Sequence, residues 1–91
     1  MLENIIAQMI YNIEISGFMQ SRTLKNGLTI EIHPQVGYYV LILLRQNAYP
    51  SDKEWETVIN HFPYELVETK PTKKDNGTTF MLIAEIPKER R

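Results

Sequence analysis

The sequence predicts an α+β domain in the order αβββαββ: a helix, a three-strand meander, a second helix and a β-hairpin. The strands should form a five-stranded, mainly antiparallel sheet with both helices packed on one face. Three observations predict it. An apolar period of helical spacing opens the chain, two Asn-Gly dipeptides sit between alternating segments, and a helix-start signal separates the two groups of strands.

Leu2, Ile5, Ile6, Met9, Ile10 and Ile13 recur at i, i+3, i+4, with Glu3, Asn4, Gln8 and Asn12 on the other side, so a helix is expected over 2–15. Ser16-Gly17 stops it. The meander follows. Asn26-Gly27 is a strong hairpin signal because both central positions of a type I′ turn need positive φ. Downstream, Leu28, Ile30 and Ile32 alternate with Thr29, Glu31 and His33; upstream, Phe18 to Leu24 is the partner strand that the turn requires. Pro34-Gln35-Val36-Gly37 forms the next turn. The apolar run from Tyr38 to Leu44 then reads as a strand, ending at Arg45, covered on both faces.

Pro50-Ser51-Asp52-Lys53-Glu54 marks the second helix, with Ser51 and Glu54 spaced for a capping box. Trp55, Val58, Ile59 and Phe62 make its apolar stripe, and Pro63 ends it. A last hairpin is expected over Tyr64–Thr72 and Thr78–Ile86, turning at Asn76-Gly77. Residues 1–87 therefore read as one domain and 88–91 as a polar tail.

Register turns these strands into faces, because opposed residues in an antiparallel pair share a face. A four-residue Pro34–Gly37 loop sets Ile32 against Tyr39, Ile30 against Leu41 and Leu28 against Leu43, on the core face. A two-residue Asn26-Gly27 loop sets Arg22 against Glu31 on the back, as an exposed ion pair. In the last hairpin Phe80, Leu82, Ala84 and Ile86 belong to the core, while Met81 and Ile83 point the other way beside Lys70 and Glu68. With the third and fifth strands adjacent, Tyr38, Val40, Ile42, Leu44, Met81 and Ile83 form one apolar back-face patch. Monomers rarely leave such a patch open. A second copy of the chain, or another protein, is the expected cover; the alternative is that the first helix crosses to that face.

The composition, 43% hydrophobic and 23% charged over 91 residues, is that of a globular chain. Cysteine is absent, which excludes disulfides and thiolate chemistry. No apolar stretch is long enough to cross a bilayer, no basic-then-apolar leader is expected at the N-terminus, and the cytoplasm is the default compartment. A net charge of −1 and a pI near 6.1 are poor footing for nucleic-acid binding. The one basic concentration is Lys70, Lys73 and Lys74 with the terminal Lys88, Arg90 and Arg91. Glu65, Glu68, Asp75, Glu85 and Glu89 dilute it.

Glu31 and His33 lie two apart on one strand face, where a carboxylate and an imidazole can meet. With no nucleophile indicated, they read first as a polar rim. His61 falls at the end of the second helix, near its last carbonyls. Asp52, Glu54 and Glu56 suit that helix's N-terminal dipole, and Trp55 reads as its core anchor. Phosphate loops, HExxH and nucleophile elbows are missing. No cofactor, metal or small-molecule ligand is indicated.

The element order is similar to that of small type III secretion chaperones and related dimeric α/β modules, which usually add a third helix. The likeness covers the order of elements and no sequence motif, and it implies dimerisation. The functional expectation is a non-enzymatic interaction or regulatory module, first as a homodimer joined through the back of its sheet or an exposed edge strand. A small nucleic-acid-associated protein using the lysine-rich last hairpin is the alternative, and an enzyme of unknown class a remote third.

Overall fold

The computed structural model describes residues 2–62 and 70–88. The elements run α1 (Leu2–Ser16), β1 (Gln20–Thr23), β2 (Thr29–Pro34), β3 (Tyr38–Gln46), α2 (Asp52–Asn60), β4 (Thr72–Asp75) and β5 (Thr79–Pro87), the predicted order. The strands join in one sheet, β1-β2-β3-β5-β4, with every neighbouring pair antiparallel. β3 and β5 are thus central neighbours, and the short β1 and β4 take the edges. The expected fourth strand at 64–72 falls mostly on residues 63–69, outside the described residues, as do Pro63 and the last residues of the tail.

One core lies on one side of the sheet. Ile6, Met9, Ile10 and Ile13 of α1 and Trp55 and Val58 of α2 are buried with Leu28, Ile30, Ile32, Tyr39, Leu41, Leu43, Leu82, Ala84 and Ile86. Burying side chains of this size contributes roughly 1.5–3 kcal/mol each. Both helices therefore cover the same face, and α1 does not cross to the other.

Local chemistry sets the helix ends. At the end of α1, Gly17 adopts φ +76° and its N–H donates to the Ile13 carbonyl at 2.8 Å, closing the last turn as the Ser16-Gly17 stop predicts. At the start of α2 the expected capping box forms: Glu54 N–H donates to Ser51 Oγ at 3.1 Å, and Ser51 N–H donates to Glu54 Oε1 at 2.9 Å. Ser51→Ala should cost about 1 kcal/mol. Urea denaturation would check this; an unchanged midpoint would mean that water replaces the cap without loss.

Three registers differ from expectation. β2 pairs with β3 as Ile32↔Leu41 and Ile30↔Leu43, two residues from the predicted alignment, because the strands extend to a two-residue Val36-Gly37 turn in which Gln35 N–H donates to Tyr38 O at 2.9 Å. β4 pairs with β5 as Thr72↔Ile83 and Lys74↔Met81, so Met81 and Ile83 neighbour Lys74 and Thr72 instead of Lys70 and Glu68. Here the Asn76 carboxamide oxygen accepts from Thr79 N–H at 2.7 Å, moving the turn one residue along. Shifts of an even number of residues leave every side chain on its predicted face.

The third shift is of one residue and does change a face. Leu24 N–H donates to Leu28 O at 2.8 Å and Gly27 N–H to Leu24 O at 3.0 Å, giving a three-residue loop. Gly27 alone takes positive φ, +89°, while Asn26 Oδ1 accepts from Leu28 N–H at 3.0 Å. This is a turn closed by a left-handed glycine, not the expected type I′ turn. Ser21, not Arg22, therefore opposes Glu31, and the predicted Arg22–Glu31 pair does not form.

Arg45 ties the layers together. Its guanidinium donates to Asn26 O at 2.7 Å and pairs with Glu54, the same carboxylate that caps α2. The first hairpin, β3 and the start of α2 are thereby held to one side chain.

Candidate functional site

The sheet's other face is built by strand alternation alone. Along β3 the buried Tyr39, Leu41 and Leu43 alternate with the half-buried Tyr38, Val40, Ile42 and Leu44. Along β5, Leu82, Ala84 and Ile86 alternate with the half-buried Met81 and Ile83 and the exposed Glu85. Because Ile42 opposes Ile83 and Leu44 opposes Met81, four of the six expected patch residues lie in two adjacent cross-strand pairs. Val40 adjoins Ile42 along β3, and Tyr38 continues the line toward Pro87. The six residues named from the sequence thus share one face, and none belongs to the buried core. Among the described residues neither helix covers them.

Across the sheet, the patch has a defined polar border. One row runs Thr23, Thr29, Leu44, Met81, Lys74; the next runs Ser21, Glu31, Ile42, Ile83, Thr72; a third runs His33, Val40, Glu85. An apolar spine on β3 and β5 is therefore flanked by Glu31 and His33 on one side and by Lys74 and Glu85 on the other. The sequence reading groups Glu85 with the charges of the last hairpin; the odd positions of β5 are the signal that places it on this face.

Glu31 and His33 do meet, with Oε1 and Nε2 2.9 Å apart and side chains 25% and 32% exposed. Such a pair can exchange a proton and can order the imidazole. Among the described residues no three His, Cys, Asp or Glu side chains stand close enough to hold a metal ion. A cleft of about 210 Å³ lies elsewhere, between the first hairpin and the start of α2, lined by Leu24, Asn26, Leu28, Ser51, Lys53, Glu54 and Thr57.

The lysines of the last hairpin are exposed but not convergent. Lys73 and Lys74 are consecutive on β4, so they point to opposite faces of the sheet. Lys74 borders the patch opposite Met81. Lys73 lies with its ammonium 5.3 Å from the Tyr49 ring centroid on the helix side. The Tyr49 hydroxyl donates to Asp75 Oδ2 at 3.0 Å, and its ring meets Phe80 edge to face at 5.0 Å. Lost solvation, then the hydrogen bond to and charge of Asp75, hold that phenol above its ordinary value. Lys70 precedes β4 and is exposed.

No helix among the described residues is long and apolar enough to cross a membrane. Comparison with family models, with curated proteins and with solved structures returns no match, so the likeness in element order to type III secretion chaperones gains no support there.

Proposed function

We propose that this chain is a non-enzymatic interaction module that works as a homodimer, joined through the face carrying Tyr38, Val40, Ile42, Leu44, Met81 and Ile83. One observation supports it most: β3 is apolar on both faces and β5 is so at Met81 and Ile83, while both helices lie on one. A fully exposed large apolar side chain forgoes roughly 1.5–3 kcal/mol relative to full burial, and these half-buried ones forgo a part of it. Covering them in an intermolecular contact recovers part of that. A net charge of −1 offers little mutual repulsion to a second copy.

Sedimentation equilibrium of the full chain from low to high micromolar concentration tests the proposal. A monomer–dimer equilibrium is the expected result. A single monomeric species at high micromolar concentration would remove it.

A further inference from the structure

Resting on that self-association, we infer that the second copy docks face to face with the two-fold axis parallel to β3, so that His33 of each copy meets Glu85 of the other and association takes up protons. The dimension of the face comes first. At about 3.3 Å per residue along a strand and 4.8 Å between strands, the five strands project about 500 Å². That is just under the roughly 600–1,000 Å² per partner found in stable interfaces, and accessible side-chain area exceeds projected area.

Symmetry and charge select the orientation. An isologous pair of stacked sheets has its axis in the plane between them. With the axis along β3, the middle strand of the sheet order, β2 of one copy lies over β5 of the other. Val40, Ile42 and Leu44 then stack on themselves. His33 and Glu85 occupy the same row, opposed through Val40 on either side of β3, so each faces the other's counterpart across the interface. In this orientation Glu31, already held by His33, lies on Ile83 and Thr29 on Met81. With the axis across the strands at Ile42, Glu31 would instead lie on the other copy's Glu31 and Glu85 on Met81, setting two carboxylates together. Aligned sheets stack about 10 Å apart at about 30°, a gap and offset that a glutamate and an imidazole can span together.

Protons enter through the donor count. His33 Nε2 already faces Glu31 Oε1 at 2.9 Å. A neutral imidazole has one N–H, whereas an imidazolium has two. Between Glu31 of its own strand and Glu85 of the other copy, only the imidazolium donates to both. Among the described residues the other charged or titratable groups near this face are Tyr38 on β3, one row away, Lys74 on β4, two rows away, and Lys70, two residues before the Thr72 that opposes Ile83; β1 contributes the uncharged Ser21 and Thr23. The charged form is thus favoured in the dimer, which is strengthened as pH falls and weakened as pH rises.

The test is sedimentation equilibrium of the full chain at pH 8 and pH 5.5, for wild type, Glu85→Gln and His33→Gln. The wild-type dimer should tighten at least about tenfold at the lower pH, where each of its two imidazoles holds a proton more firmly than in the free monomer. Both variants should still dimerise, with most of that dependence gone. A dimer whose constant does not change with pH, or whose pH dependence survives Glu85→Gln, overturns this arrangement and leaves self-association standing. A monomer at both pH values overturns both. Nonspecific association near the pI of about 6.1 would run past the dimer and persist in the variants.

Discussion

Ile42→Asp is expected to yield a folded monomer from a chain that dimerises as wild type. Ile42 stands at the centre of the uncovered face, between Glu31 on β2 and Ile83 on β5. In the dimer a carboxylate there would be taken from water on each copy, beside Glu31 and facing the carboxylate introduced in the other copy, with no cation in its row. An unpaired buried ion costs several kcal/mol. A loss of about 4 kcal/mol already weakens association about a thousandfold. In the monomer the position remains half in water, so the cost falls to about 1 kcal/mol for poor strand propensity and a like-charge neighbour. Sedimentation together with a thermal melt followed by circular dichroism separates the two effects. A dimer of wild-type affinity would show that another surface joins the copies. Should the aspartate variant unfold, Ile42→Ser makes the same comparison with a milder change.

What could be read from the sequence depended on whether the deciding interaction was local. The capping box of α2 needs only Ser51 and Glu54, three residues apart, and it formed as predicted. The division of β3 and β5 into a core face and a back face is insensitive to the two register differences, because each is an even number of residues and side chains alternate with period two. The single-residue error at Asn26-Gly27 was different: it moved Arg22 off its expected face. That dipeptide fits both a two-residue and a three-residue loop, since only Gly27 must take positive φ. Leu24 held the missing information. A three-residue loop sets it against Leu28 and packs it on the core, whereas a two-residue loop would have turned it outward. Arg45 was beyond local reasoning altogether. Its partners Asn26 and Glu54 lie 19 and 9 residues away, and only the closed sheet brings them together.

Leu43→Ala, one residue from Ile42, should have the opposite signature. Leu43 is 0% exposed, paired with Ile30 on β2 and Leu82 on β5, and points into the core beneath the helices. Truncating a leucine in such a place removes its transfer free energy and leaves a cavity, at about 2–5 kcal/mol. A domain of this size holds only about 5–13 kcal/mol in total, so the variant should melt far below wild type or fail to fold at low denaturant. Denaturant unfolding at several protein concentrations distinguishes the two positions. Assembly stabilises the folded state by mass action, so the wild-type midpoint should rise with concentration and the Ile42→Asp midpoint should not. Leu43→Ala should lower the midpoint by a large, similar amount at every concentration at which it folds. If instead Leu43→Ala were mild and Ile42→Asp alone unfolded the chain at every concentration, the two faces would have been assigned the wrong way round. The alternation of β3 makes this a strict test, because adjacent residues of one strand cannot share a face.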